Sequence, residues 1–160
     1  MTDVLDRVSA LRVLARLSRV LEAVDSGLTL PQYRVLAVIS HGGVRSARLA
    51  ERLAVRRPTL TAIADGLVAA GYAARESDPG DRRVVRLHVT EAGREALRRA
   101  DEAYLERLSP ILDETGLGDR IVAELLAVGD VLDERLRQKV ATVPEDSATT
   151  PADESMAATA

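Results

Sequence analysis

A 160-residue chain with a net charge of −3 has the size of one domain, or of one domain with a dimerising extension. It has no Cys, Phe or Trp and only three Tyr, which excludes disulfides, thiol redox sensing, iron–sulfur clusters and Cys-based zinc sites and disfavours stacking of single-stranded bases on aromatic platforms. The charge is unevenly spread: Thr29 to Thr90 holds ten Arg against five acids, so +5, while the remainder sums to −8.

Taken in chain order, Val4, Val8, Leu11, Leu14, Leu17, Leu21, Val24 and Leu28 recur at steps of three or four, a near-heptad helical stripe that must pack against something, with Ser26-Gly27 as its stop. Thr29, Pro31 and Gln32 then spell a capping box and open a helix through Tyr33, Leu36, Val38 and Ile39 to His41-Gly42-Gly43. A short helix over 46–53 turns Leu49, Ala50 and Leu53 inward. Pro58 opens the next, whose stripe is Leu60, Ile63, Ala64, Leu67 and Val68 and whose end is Gly71. Two strands follow, 72–76 and 84–89, around the turn-forming Ser77-Asp78-Pro79-Gly80-Asp81. Thr90 caps a long helix with Leu97, Tyr104, Leu108 and Ile111 inward and Pro110 near its end. After Gly116 and Gly118 a last helix carries Ile121, Leu125, Val128, Leu132 and Leu136. From about residue 141 the chain is rich in Thr, Ser, Pro, Ala and acids, and a disordered acidic tail over 141–160 is expected.

Helix, turn, helix and hairpin together predict a mainly α fold with a small two-stranded β-wing: a winged helix-turn-helix over 29–90, and a helical dimerisation region built from 1–28 and 91–140. The second helix of such a pair presents its first turns to base edges in the major groove, while the wing reaches the minor groove, where arginine is attracted. Arg56 and Arg57 start that helix, with Thr59 and Thr61 on its exposed side. Arg82 and Arg83 stand at the wing, and Arg86 on its outer face.

The segments LTLPQYRVLAVI, LAERLAVRRPTLTAIADGLVAAGY and ESDPGDRRVVRLHVTEAG stand in the order and spacing of MarR-type transcriptional regulators, and the chain resembles that family over roughly residues 4 to 138. The resemblance implies a homodimer that reads a pseudo-palindromic operator in double-stranded DNA, as a repressor. It implies that Asp81 positions Arg83 at the wing tip and that Thr59 and Thr61 take recognition-helix places. Two departures stand out: Arg56 replaces a frequent capping Ser, and Ala62 replaces a common basic residue, leaving a thymine methyl as its contact. The resemblance also implies release by a small lipophilic or phenolic effector in a cleft, for which Arg16, Arg19, Tyr33, His41 and Tyr104 are the candidates.

Plainer roles compete with these. Arg7, Arg98 and Arg99 read as solvated helix faces, His41 as a helix terminus, Asp65 as half of a structural pair, and Tyr33 and Tyr104 more readily as core or interface tyrosines with satisfied hydroxyls than as ligand contacts. Arg48 and Arg75 stand between contact and solubility. Neither histidine has a visible partner, and no nucleophile–His–carboxylate set, phosphate-binding Gly loop or metal constellation is present, so neither an enzyme nor a cofactor is expected. No apolar run reaches the roughly 18 residues of a membrane span, and Asp3 and Asp6 argue against a secretory signal, so the expected location is cytoplasmic, without a membrane partner. The alternative reading is a winged-helix docking module without specific DNA binding.

Overall fold

The structure is a computed structural model that describes residues 3–77 and 84–141. Its elements are α1 (Val4–Glu22), α2 (Leu30–Ile39), β1 (Val44–Arg45), α3 (Ser46–Arg52), α4 (Arg57–Ala69), β2 (Ala73–Ser77), β3 (Val85–Val89), α5 (Glu91–Asp113) and α6 (Gly118–Ala141). The wing tip residues Asp81, Arg82 and Arg83, the turn before them from Asp78, the tail beyond 141 and the Leu136 side chain lie outside what is described.

The starts written in the sequence hold. Thr29 accepts from the Gln32 amide while the Gln32 side chain accepts from the Thr29 amide, completing the capping box of α2. Thr90 accepts from the Gly93 amide at 3.0 Å and opens α5. Pro58 lies in the first turn of α4, where a missing N–H has no helical partner to lose. Pro110 is accommodated three residues before the end of α5.

Two expectations change. The α1 stripe does not run on as helix to Leu28. The helix stops at Glu22, and Val24 and Leu28 pack from the following loop, Leu28 within the core. The wing also has three strands rather than two, in the order β1-β3-β2, all antiparallel. The extra strand is the dipeptide Val44-Arg45, paired with Leu87 and Arg86. Two residues are too few to show alternation, so only tertiary pairing reveals them.

One core joins α2, α3, α4, the sheet and the first half of α5. Val35, Leu36, Ile39, Leu49, Leu67 and Leu87 are fully buried, each contributing about 1.5–3 kcal/mol by removal from water. From α5 the core takes Gly93, Ala96 and Ala100, small residues that let the helix lie close, and then the larger Tyr104. Gly93 is seated where a Cβ would come within 1.9 Å of the Tyr72 carbonyl oxygen. Beyond Tyr104 the cover ends: Leu105, Ile111 and Leu117 are exposed, as are the apolar side chains of α1 and α6 from Val4 to Leu14 and from Val122 to Leu132.

Candidate nucleic-acid interface

The turn between α3 and α4 is tight because Ala54 takes a left-handed conformation, φ 52°, which lets the Val55 amide donate back to the Ala50 carbonyl. A β-carbon is disfavoured there, and the turn carries that cost. α4 is anchored by Leu60, Ala64 and Leu67, all buried. Its opposite side bears Arg56, Arg57, Thr59, Thr61 and Ala62, all exposed. Arg56 is the N-cap residue and supplies no side-chain cap, so the first amides of α4 open outward beside two guanidinium groups. Thr61 is partly committed, since its hydroxyl donates to the Arg57 carbonyl at 3.0 Å and leaves its methyl and lone pairs outward. Asp65 pairs with Arg75 of β2 at 2.5 Å, the structural role expected for it.

On the sheet, Arg45, Arg86 and Glu76 form one row across the three strands, by register. Arg86 donates to the Gly43 carbonyl at 3.4 Å. His88, on the same face, lies flat over Gly43, where a Cβ would come within 1.9 Å of its ring. Contrary to the sequence reading it has a partner: its Nε2 is 3.2 Å from Glu76 Oε2, close enough for an ion pair but outside hydrogen-bond alignment. His41, by contrast, stays at the end of α2, its Nδ1 3.0 Å from the Ala37 carbonyl oxygen.

Of the five effector candidates, the structure brings two together. The rings of Tyr33 and Tyr104 meet edge to face, 4.8 Å apart at 82°. The Tyr33 hydroxyl donates to Asp101 at 2.7 Å, and Tyr104 accepts a long bond from Ser26 at 3.3 Å. Burial, and then the bond to Asp101, push the Tyr33 hydroxyl well above its ordinary pKa. Arg16 and Arg19 are exposed on α1. Sequence reasoning missed Asp101 and Ser26. The available signal was the spacing of Asp101 and Tyr104, three apart on α5 and hence on one face. Among the described residues no group of acids and histidines could hold a metal, and no helix is long and apolar enough to cross a membrane.

Residues 26–84 match the profile of the MarR family. The HTH-type transcriptional regulator YpoP of Bacillus subtilis, itself uncharacterized, is 31% identical over 86 residues, which are 53% of this chain and 61% of that protein. The chain spans 61% and 59% of the two curated relatives it matches, the second a putative transcriptional regulatory protein for the hcr operon of Thauera aromatica. Among solved structures, the transcriptional repressor CouR bound to a 23-mer DNA duplex is similar with a TM-score of 0.61 and 28% identity, over 78% of this chain and 87% of that one. Wild-type apo MarR of E. coli shares the fold with a TM-score of 0.67 at 24% identity, over 82% and 99%.

Proposed function

We infer, for a chain that carries the winged helix-turn-helix of the MarR family, a homodimeric transcriptional repressor that binds a pseudo-palindromic operator in duplex DNA. The observation that carries this reading is the exposed, uncapped, doubly basic first turn of α4, standing on a lobe whose charge is opposite in sign to that of the rest of the chain. In it Arg56, Arg57, Thr59, Thr61 and Ala62 meet the major groove. Arg82 and Arg83, with Asp81 orienting the tip, meet the minor groove. The likeness to a repressor bound to a duplex supports the same reading.

The uncovered apolar side chains support a two-fold arrangement. Leu11 is 65% and Leu126 67% exposed, on helices that cover no more than a small part of the core. A second copy burying these faces would set two lobes about 34–36 Å apart, one helical turn of DNA. Residues 1–28 and 91–140 are then the dimerisation region, and 29–90 the DNA-binding domain. A small lipophilic or phenolic effector acts between them, at the tyrosine pair with Arg16, Arg19 and His41 around it, by favouring a lobe spacing that does not fit the duplex. Location in the cytoplasm follows from this role.

Binding to genomic fragments at several salt concentrations tests the proposal. The logarithm of affinity should fall by about 0.9 per log unit of salt for each phosphate contacted. Salt-independent binding, or none, would leave the docking-module alternative. Sedimentation tests the dimer: wild-type protein should run as two copies and Leu132→Glu as one, and a monomeric wild type would refute the two-fold arrangement.

A further inference from the structure

We propose that Arg75 is a positioning residue for DNA binding, neutralising an acid on the groove-facing row of α4 and tying the base of the wing to that helix. This rests on the reading of α4 and the wing as the DNA-binding elements. Arg57, Thr61 and Asp65 are four residues apart, so they form one row along α4, and all three are exposed. The Thr61 hydroxyl, bonded to the Arg57 carbonyl, confirms the alignment of the first two. An unmasked carboxylate at the end of this row would repel phosphate.

Strand register supplies the mask. Arg75 lies opposite Leu87, and alternation puts it on the face that also carries the buried Ala73 and Leu87. An apolar residue is the expectation at such a position. Arginine there extends towards α4, and its Nη2 donates to Asp65 Oδ1 at 2.5 Å. Both side chains are exposed, 40% for Arg75 and 57% for Asp65, so the pair adds little to folding stability. Its consequences are electrostatic and geometric instead. It removes a negative charge from the groove-facing row, and it fixes how β2, and so the wing, is set against the recognition helix.

A double-mutant cycle on one bound duplex, read by fluorescence anisotropy over a range of salt, tests this. Arg75→Gln in the wild-type background should weaken binding roughly tenfold, because Asp65 is then unmasked. In an Asp65→Ala background the same change should cost no more than about twofold and leave the salt slope unaltered. Were Arg75 a phosphate contact, its loss would cost the same in both backgrounds and lower the slope by about 0.9, and the proposal would fall. Melting temperatures of the four proteins should agree within a few degrees; a large drop with Arg75→Gln would make the pair a folding element and also overturn the assignment. Wild-type protein that binds no duplex defeats the DNA-binding reading itself, whereas wild-type binding with independent losses defeats only the role of Arg75.

Discussion

Replacing Gly93 with alanine sets two effects of opposite sign against each other. Helix propensity alone favours the change by about 1 kcal/mol, since glycine inside a helix costs that much relative to alanine. The added Cβ, however, would come within 1.9 Å of the Tyr72 carbonyl oxygen, 2.8 Å of its carbon and 3.0 Å of a Val89 methyl. Two of those atoms are backbone, and the oxygen is engaged by the Thr90 amide at 3.1 Å, while the Thr90 hydroxyl donates to the neighbouring Gly71 carbonyl at 2.7 Å. Relief needs a movement of more than an ångström at this junction. Overpacking costs about 1–3 kcal/mol, and a weakened buried hydrogen bond adds roughly 1–3 kcal/mol. The net loss is then about 1–5 kcal/mol, and the middle of that range is a fall in Tm on the order of 10 °C for a chain of this size. Differential scanning calorimetry measures it, with Gly66→Ala as the internal control. Gly66 is also helical, and its Cβ would meet only the Gln32 side-chain amide at an ordinary 3.6 Å, so that variant should gain up to about 1 kcal/mol. If Gly93→Ala melted above wild type, as propensity by itself requires, the close seat of α5 on the wing junction would be wrong.

Four further predictions concern the site and its supports. Tyr33→Phe should cost about 1–2 kcal/mol, because Asp101 loses its donor while the ring contact with Tyr104 stays. The raised Tyr33 pKa gives stability that is complete below the ordinary tyrosine value of about 10 and is lost as pH climbs above it, so the absorbance step that Tyr33→Phe removes from an alkaline titration should lie above the ordinary tyrosine range, and a step at the ordinary value would contradict this. Arg83→Ala should weaken operator binding by about 1–3 kcal/mol with the dimer intact, and an unchanged footprint would remove the wing from the interface. Ala54→Gly should raise stability by about 0.5–1 kcal/mol in a thermal melt, since glycine relieves the left-handed turn at some entropic cost.

What could be read in advance depended on whether the determining forces were local. Thr29 with Gln32, Thr90 and Pro58 act within one helical turn, and the helices begin where those residues say. Gly71, with φ 75°, ends α4 for the same local reason. The end of α1 was misjudged because Val24 and Leu28 keep the helical spacing of apolar residues although a loop delivers them to the core. β1 was invisible because its two residues acquire meaning only beside β3. Within the site, the exposed side of α4 follows from the period of its buried side. The bonds Tyr33–Asp101 and Arg75–Asp65 and the seating of His88 over Gly43 cross between elements, and no periodicity within a segment encodes them. Arg98, assigned to a solvated face, is bonded there by Glu95 and Glu102.

Helix α5 spans 23 residues, about 34 Å end to end, and its two ends have different surroundings. Its first half is clamped in the lobe through Ala96, Ala100 and Tyr104, while Leu105 and Ile111 project from the lobe uncovered. It is therefore a lever with its fulcrum at the tyrosine pair. A tilt of only about 5° would move its far end, nine residues or about 13 Å past that fulcrum, by roughly 1 Å, so in the proposed dimer a side-chain adjustment too small to disturb the core would still reach the surface offered to the second copy.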